Sequence, residues 1–308
     1  MLFHQQLIIL TTMKTGTIYK DPTYKQNLMR LYDEKLHSFV KEGEYEELNI
    51  ETFAGNTHII VRGEENLPPL VIFHGIHAGA PVALEAMKNL HEKYRIYAID
   101  TIGQATKSDE TTLDFKSNEY GKWAAEVLEK LNLQSVPVIA ISYGAFILNE
   151  LIKVSPKSIK KAIYIVPSGF ANGDFLPSFS RLSVPLFKFH FTKKEEDLVK
   201  FMDAFFTTKD KHWVEVQKNI LLGVKMDYRR PPLLSEKDTQ NFDTPVFAMV
   251  AENDVFFPKE KAILQMKKVF TDLREIYILK DAKHIPDVSR YDEIVDKIEK
   301  WLLLSNKE

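Results

Sequence analysis

The chain is predicted to form an α/β fold, a doubly wound and mostly parallel sheet with an inserted helical cap. Two observations predict it. From Pro69 onward, short apolar runs alternate with helix-like stretches, as in parallel sheets that are covered by helices on both faces. This alternation stops after Gly169 and resumes near Thr244, and the residues between them have helical patterns without a clear strand.

The predicted strands are short runs rich in Val, Ile, Leu, Phe and Tyr. The first two form a hairpin with a turn at residues 55–56, and the others are apolar runs typical of strands buried on both faces. In chain order the predicted strands are 48–53, 57–61, 70–73, 94–99, 136–141, 161–166, 244–251 and 273–279.

Helical spacing of apolar residues predicts the remaining elements. Inside the insertion, the residues from Thr192 to Glu195 have the spacing of a capping box, a reciprocal pair of hydrogen bonds at a helix start. A second stripe, from Trp213 to Val224, predicts another helix of the insertion. The other predicted helices lie at residues 19–40, 80–92, 118–131, 144–154 and near the C-terminus.

These patterns divide the chain into four parts. Residues 1–44 are an extension and a helix, residues 45–168 and 243–308 form the α/β core, and residues 169–242 form the helical cap. The first ten residues lack a basic start, Gln5 and Gln6 interrupt their apolar run, and no small-residue cleavage site follows. They are therefore expected to be a non-signal extension, with Met13 as an alternative start. The expected location is the cytoplasm.

Composition narrows the class of protein. The 308 residues are 44% hydrophobic and 27% charged, with a net charge of −2 and scattered basic residues, which argues against a nucleic-acid partner. No apolar run is long enough for a transmembrane helix, so no membrane insertion is expected. The absence of cysteine excludes disulfides, thiolate chemistry and Cys-ligated zinc.

The most informative segment follows the predicted strand 136–141. Ser142 is flanked two positions away by the small residues Ala140 and Gly144, between a buried strand and a helix. A serine in such a tight turn is typical of a nucleophile elbow, which presents the hydroxyl at the C-terminal edge of the sheet with a helix N-terminus behind it. The alternative is an ordinary junction in which the serine side chain caps the helix.

A second segment, His74-Gly75-Ile76-His77, follows an earlier strand. A serine hydrolase needs backbone N–H groups that face the developing oxyanion, and the candidates are those of Ile76 and of Tyr143, which follows the serine. Gly75 is expected to let the backbone approach the substrate closely. The two histidines also suggest metal ligation, but no third ligand has a suitable spacing, so no metal and no cofactor is predicted.

The candidate acid and base follow the last two strands. Asp254 lies in a loop before Pro258, and we favour it over Glu252 of the same loop as the acid that orients a histidine. His284 follows the last strand and is the only histidine C-terminal to His212, which makes it the candidate general base. The alternatives are a turn or cap aspartate and a surface-loop histidine.

The chain order of serine, acid and histidine is the order of α/β-hydrolases. The chain resembles this superfamily, in particular its capped carboxylesterase-like branch, over about residues 45–305. The resemblance rests on the elbow, on the His-Gly pair of the oxyanion loop, on Asp100 and Gly103 as a D-x-x-G loop, and on the acid and base loops. It departs from the common pattern at Ala140, Ala105 and Lys283, where glycine is usual. The resemblance implies the α/β-hydrolase fold and a Ser-Asp-His triad.

The sequence therefore predicts a serine hydrolase that cleaves a small, largely apolar ester. Alternatives with the same triad are hydrolysis of a C–C bond, an amide or a thioester, and a different class is a ligand-binding protein on a hydrolase scaffold. Aromatic residues of the cap are expected to supply part of the pocket wall and part of the core. They are Phe170, Phe175, Phe179, Phe187, Phe189, Phe191, Phe201, Phe205, Phe206 and Trp213.

Overall fold

A single eight-stranded sheet forms the centre of the molecule. The computed structural model on which this description rests covers residues 16–227 and 229–305, and the proposed N-terminal extension and the alternative start at Met13 lie outside the described residues. The strands are β1 (Glu46–Thr52), β2 (Gly55–Arg62), β3 (Pro69–Phe73), β4 (Arg95–Ile99), β5 (Val136–Ile141), β6 (Ile159–Ile165), β7 (Val246–Ala251) and β8 (Leu273–Leu279).

The order of the strands in space is β1-β2-β4-β3-β5-β6-β7-β8. The first pair is an antiparallel hairpin, and β2 also runs antiparallel to β4. All the other neighbours are parallel. Because the carboxyl ends of parallel strands meet at one edge, the loops after β3, β5, β7 and β8 lie along that edge of the sheet, where ligands of open α/β sheets bind.

Helices cover both faces of the sheet and also form the segment between β6 and β7. They are α1 (Pro22–His37), α2 (Gly79–Ala86), α3 (Glu119–Lys130), α4 (Tyr143–Val154), α5 (Phe175–Ser178), α6 (Val184–Thr192), α7 (Glu195–Met202), α8 (Lys211–Gly223), α9 (Lys259–Val269) and α10 (Tyr291–Leu303). A π-helical turn at Phe179–Ser183 joins α5 to α6.

Two apolar clusters fix these helices to the sheet. On one face, side chains of α3, α4 and α9, with Trp123 and Tyr120 the largest, pack on the strands. On the other face, α1, α2 and α10 pack around Ile72, Phe247 and Trp301. All these side chains are almost completely buried, and their transfer out of water supplies the main favourable term for the layered fold.

The helices α5 to α8 form the insertion between β6 and β7. Helices α6 to α8 share a third cluster with α1, and its buried members include Leu28, Phe189, Phe206 and Trp213. The N-terminal helix α1 thus joins the α/β core to the inserted helices, because its Tyr32 and Leu36 belong to the core cluster.

The predicted fold class is confirmed, and each predicted strand is present with small shifts at its ends. The predicted capping box at Thr192–Glu195 is wrong. Helix α7 does begin at Glu195, but its N-cap is Lys194, and the Thr192 hydroxyl instead donates to Asp197 at 2.7 Å. Thr192 is the last residue of α6, so its backbone does not have the extended conformation that a capping serine or threonine needs.

The predicted helix 80–92 is shorter than expected. Helix α2 ends at Ala86, and a separate 3₁₀ turn covers Leu90–Glu92. The proposed limits of the cap, residues 169 and 242, stay a prediction. Across residues 16–227 and 229–305, no helix has both the length and the apolar character that crossing a membrane requires.

Candidate active site

Ser142 occupies the turn between β5 and α4 in a conformation that few residues adopt. Its backbone angles are φ 50° and ψ −109°, a strained combination for a residue with a side chain. Ser142 is the N-cap residue of α4, yet its side chain makes no capping hydrogen bond. The alternative interpretation of Ser142 as an ordinary helix cap is therefore wrong, and its hydroxyl is available for another partner.

The strained turn is held from three sides. The Ser142 N–H donates to the carbonyl of Ile165 at 2.9 Å, and the Ser142 carbonyl accepts from the backbone N–H and the hydroxyl of Ser168 at 3.1 and 2.9 Å. On the helix side, Gly144 lies directly against the backbone of Phe73, where an added Cβ would overlap the Phe73 carbonyl oxygen. The small residue predicted at this position is thus required by the close approach of α4 to β3.

A chain of two hydrogen bonds links Ser142 to an acid. Ser142 Oγ lies 2.8 Å from His284 Nε2, and His284 Nδ1 lies 2.7 Å from Asp254 Oδ2. The relative exposures of Asp254 and His284 are only 7% and 6%, so both bonds lie in a largely dehydrated environment. The structure thus brings together the three side chains proposed from the sequence.

The loop after β7 orients the Asp254 carboxylate and also covers the His284 imidazole. Asp254 Oδ1 accepts from the backbone N–H groups of Phe256 and Phe257 at 2.8 and 3.1 Å, which leaves Oδ2 for His284. The rings of both phenylalanines also meet the imidazole edge to face, at centroid distances of 5.1 and 5.3 Å. Sequence reasoning did not assign these two residues a role, because nothing in their spacing distinguishes them from core aromatics.

Glu252, the alternative acid, has other partners. Its carboxylate accepts from the Asp281 backbone N–H at 2.9 Å and from Lys259 at 3.1 Å. The hydrogen bond from Asp281 and the neighbouring Lys259 lower the pKa of Glu252. This geometry favours Asp254 as the partner of the imidazole.

The loop after β3 lies beside the serine. A Cβ added to Gly75 would lie 3.5 Å from the Ser142 Cβ, an ordinary contact, and the close approach to substrate expected of Gly75 stays a prediction. The imidazole of His74 bridges two backbone groups: Nδ1–H donates to the Gly75 carbonyl at 2.6 Å, and Nε2 accepts from the Thr101 N–H at 2.9 Å. His74 therefore fixes the Gly75–Ile76 peptide, whose N–H is the predicted oxyanion donor.

Both histidines of this loop serve the loop itself. His77 has φ 52°, its N–H donates to Gln104, and its Nδ1 accepts from the Ala105 N–H at 3.0 Å. Burial lowers the pKa of His77 to about 4, with a smaller effect of the neighbouring His74. Both His74 nitrogens are occupied by backbone groups, which argues against metal ligation, and the described part of the chain contains no cluster of three or more potential metal ligands.

The loop after β4 connects several elements through its buried carboxylate. Asp100 is fully buried and accepts from the Tyr32 hydroxyl at 2.8 Å, from the Ala80 N–H at 2.8 Å and from His58 at 2.9 Å. Burial would raise the pKa of this carboxyl, but the hydrogen bond and charge of His58 lower it. Asp100 thereby joins helix α1, the start of α2 and the hairpin strand β2.

A cavity of about 440 Å³ opens over Ser142 and His284. Its described lining contains no lysine, arginine, aspartate or glutamate, and most of it is aliphatic or aromatic. Of the predicted cap aromatics, Phe201, Phe205 and Trp213 line this cavity. Phe170, Phe189 and Phe206 are buried in core clusters instead, and Phe179, Phe187 and Phe191 are exposed.

The inserted helices are hydrogen-bonded to the loop that carries His284. The N–H of Ile285 donates to the Phe205 carbonyl at 2.8 Å, and the Thr207 N–H donates to the Ile285 carbonyl at 2.9 Å. Lys283, where the superfamily often has glycine, donates from its ammonium group to the Asp203 carbonyl at 2.6 Å. The segment after α7 and the His284 loop therefore form one small bridge.

Comparison with known proteins assigns the chain to a family. Residues 68–286 match the family model of the alpha/beta hydrolase fold, and the chain belongs to this family.

Two curated relatives come from Bacillus subtilis strain 168. The chain is similar to a protein named uncharacterized carboxylesterase nap, with 22% identity over 249 residues, covering 77% of this chain and 79% of the relative. It is also similar to carboxylesterase YbfK, with 22% identity over 282 residues, covering 88% and 92%.

Solved structures share the fold. Naproxen esterase from Bacillus subtilis superposes with a TM-score of 0.75 at 19% identity, covering 90% of this chain and 97% of that one. Carboxylesterase CesB (YbfK) from the same species gives 0.76 at 17% identity, covering 91% and 99%.

The packing of Gly144 leads to a stability prediction. Gly144→Ala should lower the free energy of unfolding by about 3 kcal/mol, because the new methyl group must displace the β3 backbone. Gly75→Ala is the matched control, since its methyl group makes only an ordinary contact with Ser142. Urea unfolding of both variants measures the difference, and equal stabilities would contradict the proposed reason for glycine at position 144.

Proposed function

We propose that this protein is a serine hydrolase that cleaves small, largely apolar carboxylic esters through an acyl-enzyme intermediate. The observation that carries the proposal is the continuous hydrogen-bond chain from Ser142 through His284 to Asp254, which opens into an apolar cavity. A serine hydroxyl is a poor nucleophile unless a base removes its proton, and this chain supplies the base and its orienting acid.

In the proposed acylation step, His284 Nε2 accepts the Ser142 proton while the serine oxygen attacks the ester carbonyl. Asp254 holds Nδ1–H, so the imidazole presents its unprotonated Nε2 to the serine and its positive charge is stabilised after proton transfer. The imidazolium then protonates the leaving alcohol. Water attacks the acyl-enzyme in the second half of the reaction with the same base, and no cofactor is required.

The negative charge on the carbonyl oxygen needs donors that are in place before the reaction. We assign this role to the backbone N–H groups of Tyr143 and Ile76. Tyr143 begins helix α4, whose dipole favours negative charge at that end. The His74 imidazole supports the second donor, because it holds the carbonyl of the peptide that contains the Ile76 N–H.

The ester class rests on the relatives and on the cavity. Both curated relatives bear the name carboxylesterase, and the solved neighbours described above are esterases. The apolar lining favours substrates whose acyl or alcohol part is hydrocarbon-rich. Cleavage of a C–C bond, an amide or a thioester would use the same residues, and a panel of such substrates separates these reactions from ester hydrolysis.

The identity of the nucleophile can be tested directly. Ser142→Ala should abolish hydrolysis of short p-nitrophenyl esters and labelling by a fluorophosphonate, because both need the hydroxyl. The control is Ser289→Ala, at an exposed serine before α10, which should retain both. Peptide mapping of the labelled protein should locate the adduct on Ser142, and an adduct elsewhere would overturn the assignment.

The two acids of the β7 loop offer a matched pair. Asp254→Asn should lower kcat by on the order of 10⁴, since an amide cannot hold the imidazole in the required tautomer. Glu252→Gln should have a far smaller effect, because this residue contacts Lys259 and the Asp281 backbone rather than His284. Steady-state kinetics with one ester compares them, and a larger loss for Glu252→Gln would show that Asp254 is the wrong acid.

The cavity wall predicts a chain-length profile. Each methylene that enters it should contribute about 0.8 kcal/mol, so kcat/KM should rise about fourfold per carbon until the cavity is full. Phe201→Ala removes a ring from the wall and enlarges the cavity, so the optimum should move to longer acyl chains. Phe187→Ala is the control and should not move it, because this side chain is 74% exposed. A kcat/KM that stays constant from acetate to octanoate in the wild-type protein and in both variants would contradict this role of the cap.

A further inference from the structure

Besides the partly buried Gln217, three buried polar side chains line the apolar cavity without taking part in the proposed chemistry. They are Tyr291 at the start of α10, Trp213 in the first turn of α8 and His77 in the loop after β3. Their relative exposures are 5%, 9% and 8%, so each is about nine-tenths buried or more. Such groups in natural proteins almost always have hydrogen-bond partners.

Each of the three has one polar atom without a partner among the described residues: the Tyr291 hydroxyl, Trp213 Nε1 and His77 Nε2. None of these atoms belongs to the fully enclosed side-chain atoms that lack partners. These atoms are therefore not fully enclosed by protein, and the residues that carry them line the cavity.

All three atoms can donate a hydrogen bond. The indole nitrogen is a donor only, and the phenol has an O–H. His77 Nδ1 accepts from the Ala105 N–H, so the proton of this neutral imidazole is on Nε2. The cavity thus presents donors to its contents, and an apolar ligand would leave them unpaired, which costs binding free energy.

Two of the donors come from different helices, Trp213 from α8 and Tyr291 from α10. The Asp210 side chain caps α8 by accepting from the Trp213 backbone N–H at 2.8 Å. Burial, together with the charges of Glu85, Asp287 and Asp210, raises the pKa of Tyr291, so the phenol stays protonated. Tyr291 and Trp213 thus bring a phenol O–H and an indole N–H to the cavity lining from two different helices.

The charge of the expected acceptor follows from the lining. A carboxylate or phosphate that entered the cavity would lose its hydration without meeting a lysine or arginine, since the described lining contains neither. A neutral oxygen, in contrast, needs only one or two donors to replace its water. An ether, a ketone or a second ester group fits this environment.

We propose that the cavity recognises a neutral oxygen acceptor of its substrate, separate from the ester that is cleaved, through the Tyr291 hydroxyl and the Trp213 indole N–H, with His77 as a further donor. The proposal deepens the proposed function, because it names the substrate class as oxygen-bearing rather than purely hydrocarbon esters. Tyr291 and Trp213 are specificity residues in this proposal and have no part in bond cleavage.

The test compares p-nitrophenyl hexanoate with isosteric esters in which one acyl methylene, other than the one next to the ester carbonyl, is replaced by an ether oxygen or a carbonyl, at each such position in turn. Each kcat/KM is divided by the rate of hydroxide hydrolysis of the same ester, which removes the effect of the oxygen on intrinsic reactivity. One position should exceed hexanoate by about tenfold, the worth of one hydrogen bond. Tyr291→Phe or Trp213→Phe should reduce this ratio to within about twofold of one.

Two controls separate the lost donor from changes of shape. Tyr94→Phe makes the same chemical change at a residue outside the cavity and should leave the ratio unchanged. Ile220→Val enlarges the cavity slightly without removing a donor, so the preference for the oxygen-containing ester should remain. A wild-type ratio near one at every position, or a ratio that survives both Tyr291→Phe and Trp213→Phe, would overturn the proposal.

A binding experiment tests recognition of the oxygen independently of the proposed hydrolysis. In the Ser142→Ala background, the affinities for 2-octanone and for its isostere 2-methyl-1-octene are measured by calorimetry. Adding Tyr291→Phe should weaken binding of the ketone by about tenfold relative to the alkene. This result would support recognition of the oxygen even if no ester is turned over, and an unchanged relative affinity would refute it. Should Tyr291→Phe fail to fold, Trp213→Phe takes its place.

Discussion

The strained backbone at Ser142 is the constraint on which the other parts of the site depend. A residue at φ 50° and ψ −109° costs free energy that the surrounding packing must offset. The end of β6, through Ile165 and Ser168, satisfies the Ser142 backbone, and Gly144 lets α4 lie against β3. Without these contacts the chain would relax, and the hydroxyl would turn away from His284.

The acid and the base reach the serine from loops that are distant in sequence but adjacent in the sheet. Because β7 pairs with β8, Asp254 and His284 follow neighbouring strands at the same edge. The Phe256 and Phe257 rings exclude water from the imidazole, and their N–H groups fix the carboxylate. One short loop thus controls both the orientation and the hydration of the pair.

The sequence predicted the parts of the site that strand order determines. Apolar runs show where strands end, and small residues beside Ser142 indicate a tight turn, so the edge of the sheet and its polar loops could be derived. The partners of Thr192 could not, because Thr192 ends one helix and the same spacing also suits a cap. Periodicity likewise marks Phe189 and Phe201 alike as apolar, although only Phe201 lines the cavity.

The polar lining was invisible in the sequence for a related reason. Tyr291 and Trp213 occupy apolar positions of amphipathic helices, and only their tertiary neighbours decide whether the O–H or N–H finds a partner. Conversely, His74 and His77 suggested a metal because of their spacing, but backbone groups occupy three of their four ring nitrogens. Side-chain pattern alone does not reveal which donors the backbone has already used.

Backbone hydrogen bonds join Ile285 to Phe205 and Thr207. They couple movement of the inserted helices to movement of the loop that carries His284. Any rotation of the inserted helices about their connections must either break the two backbone hydrogen bonds or carry the His284 loop with it. As long as these hydrogen bonds persist, the orientation of the His284 imidazole therefore changes together with the position of the inserted helices over the cavity. An open state that kept both hydrogen bonds would draw the base away from the serine, whereas one that kept the base in place would first have to break them.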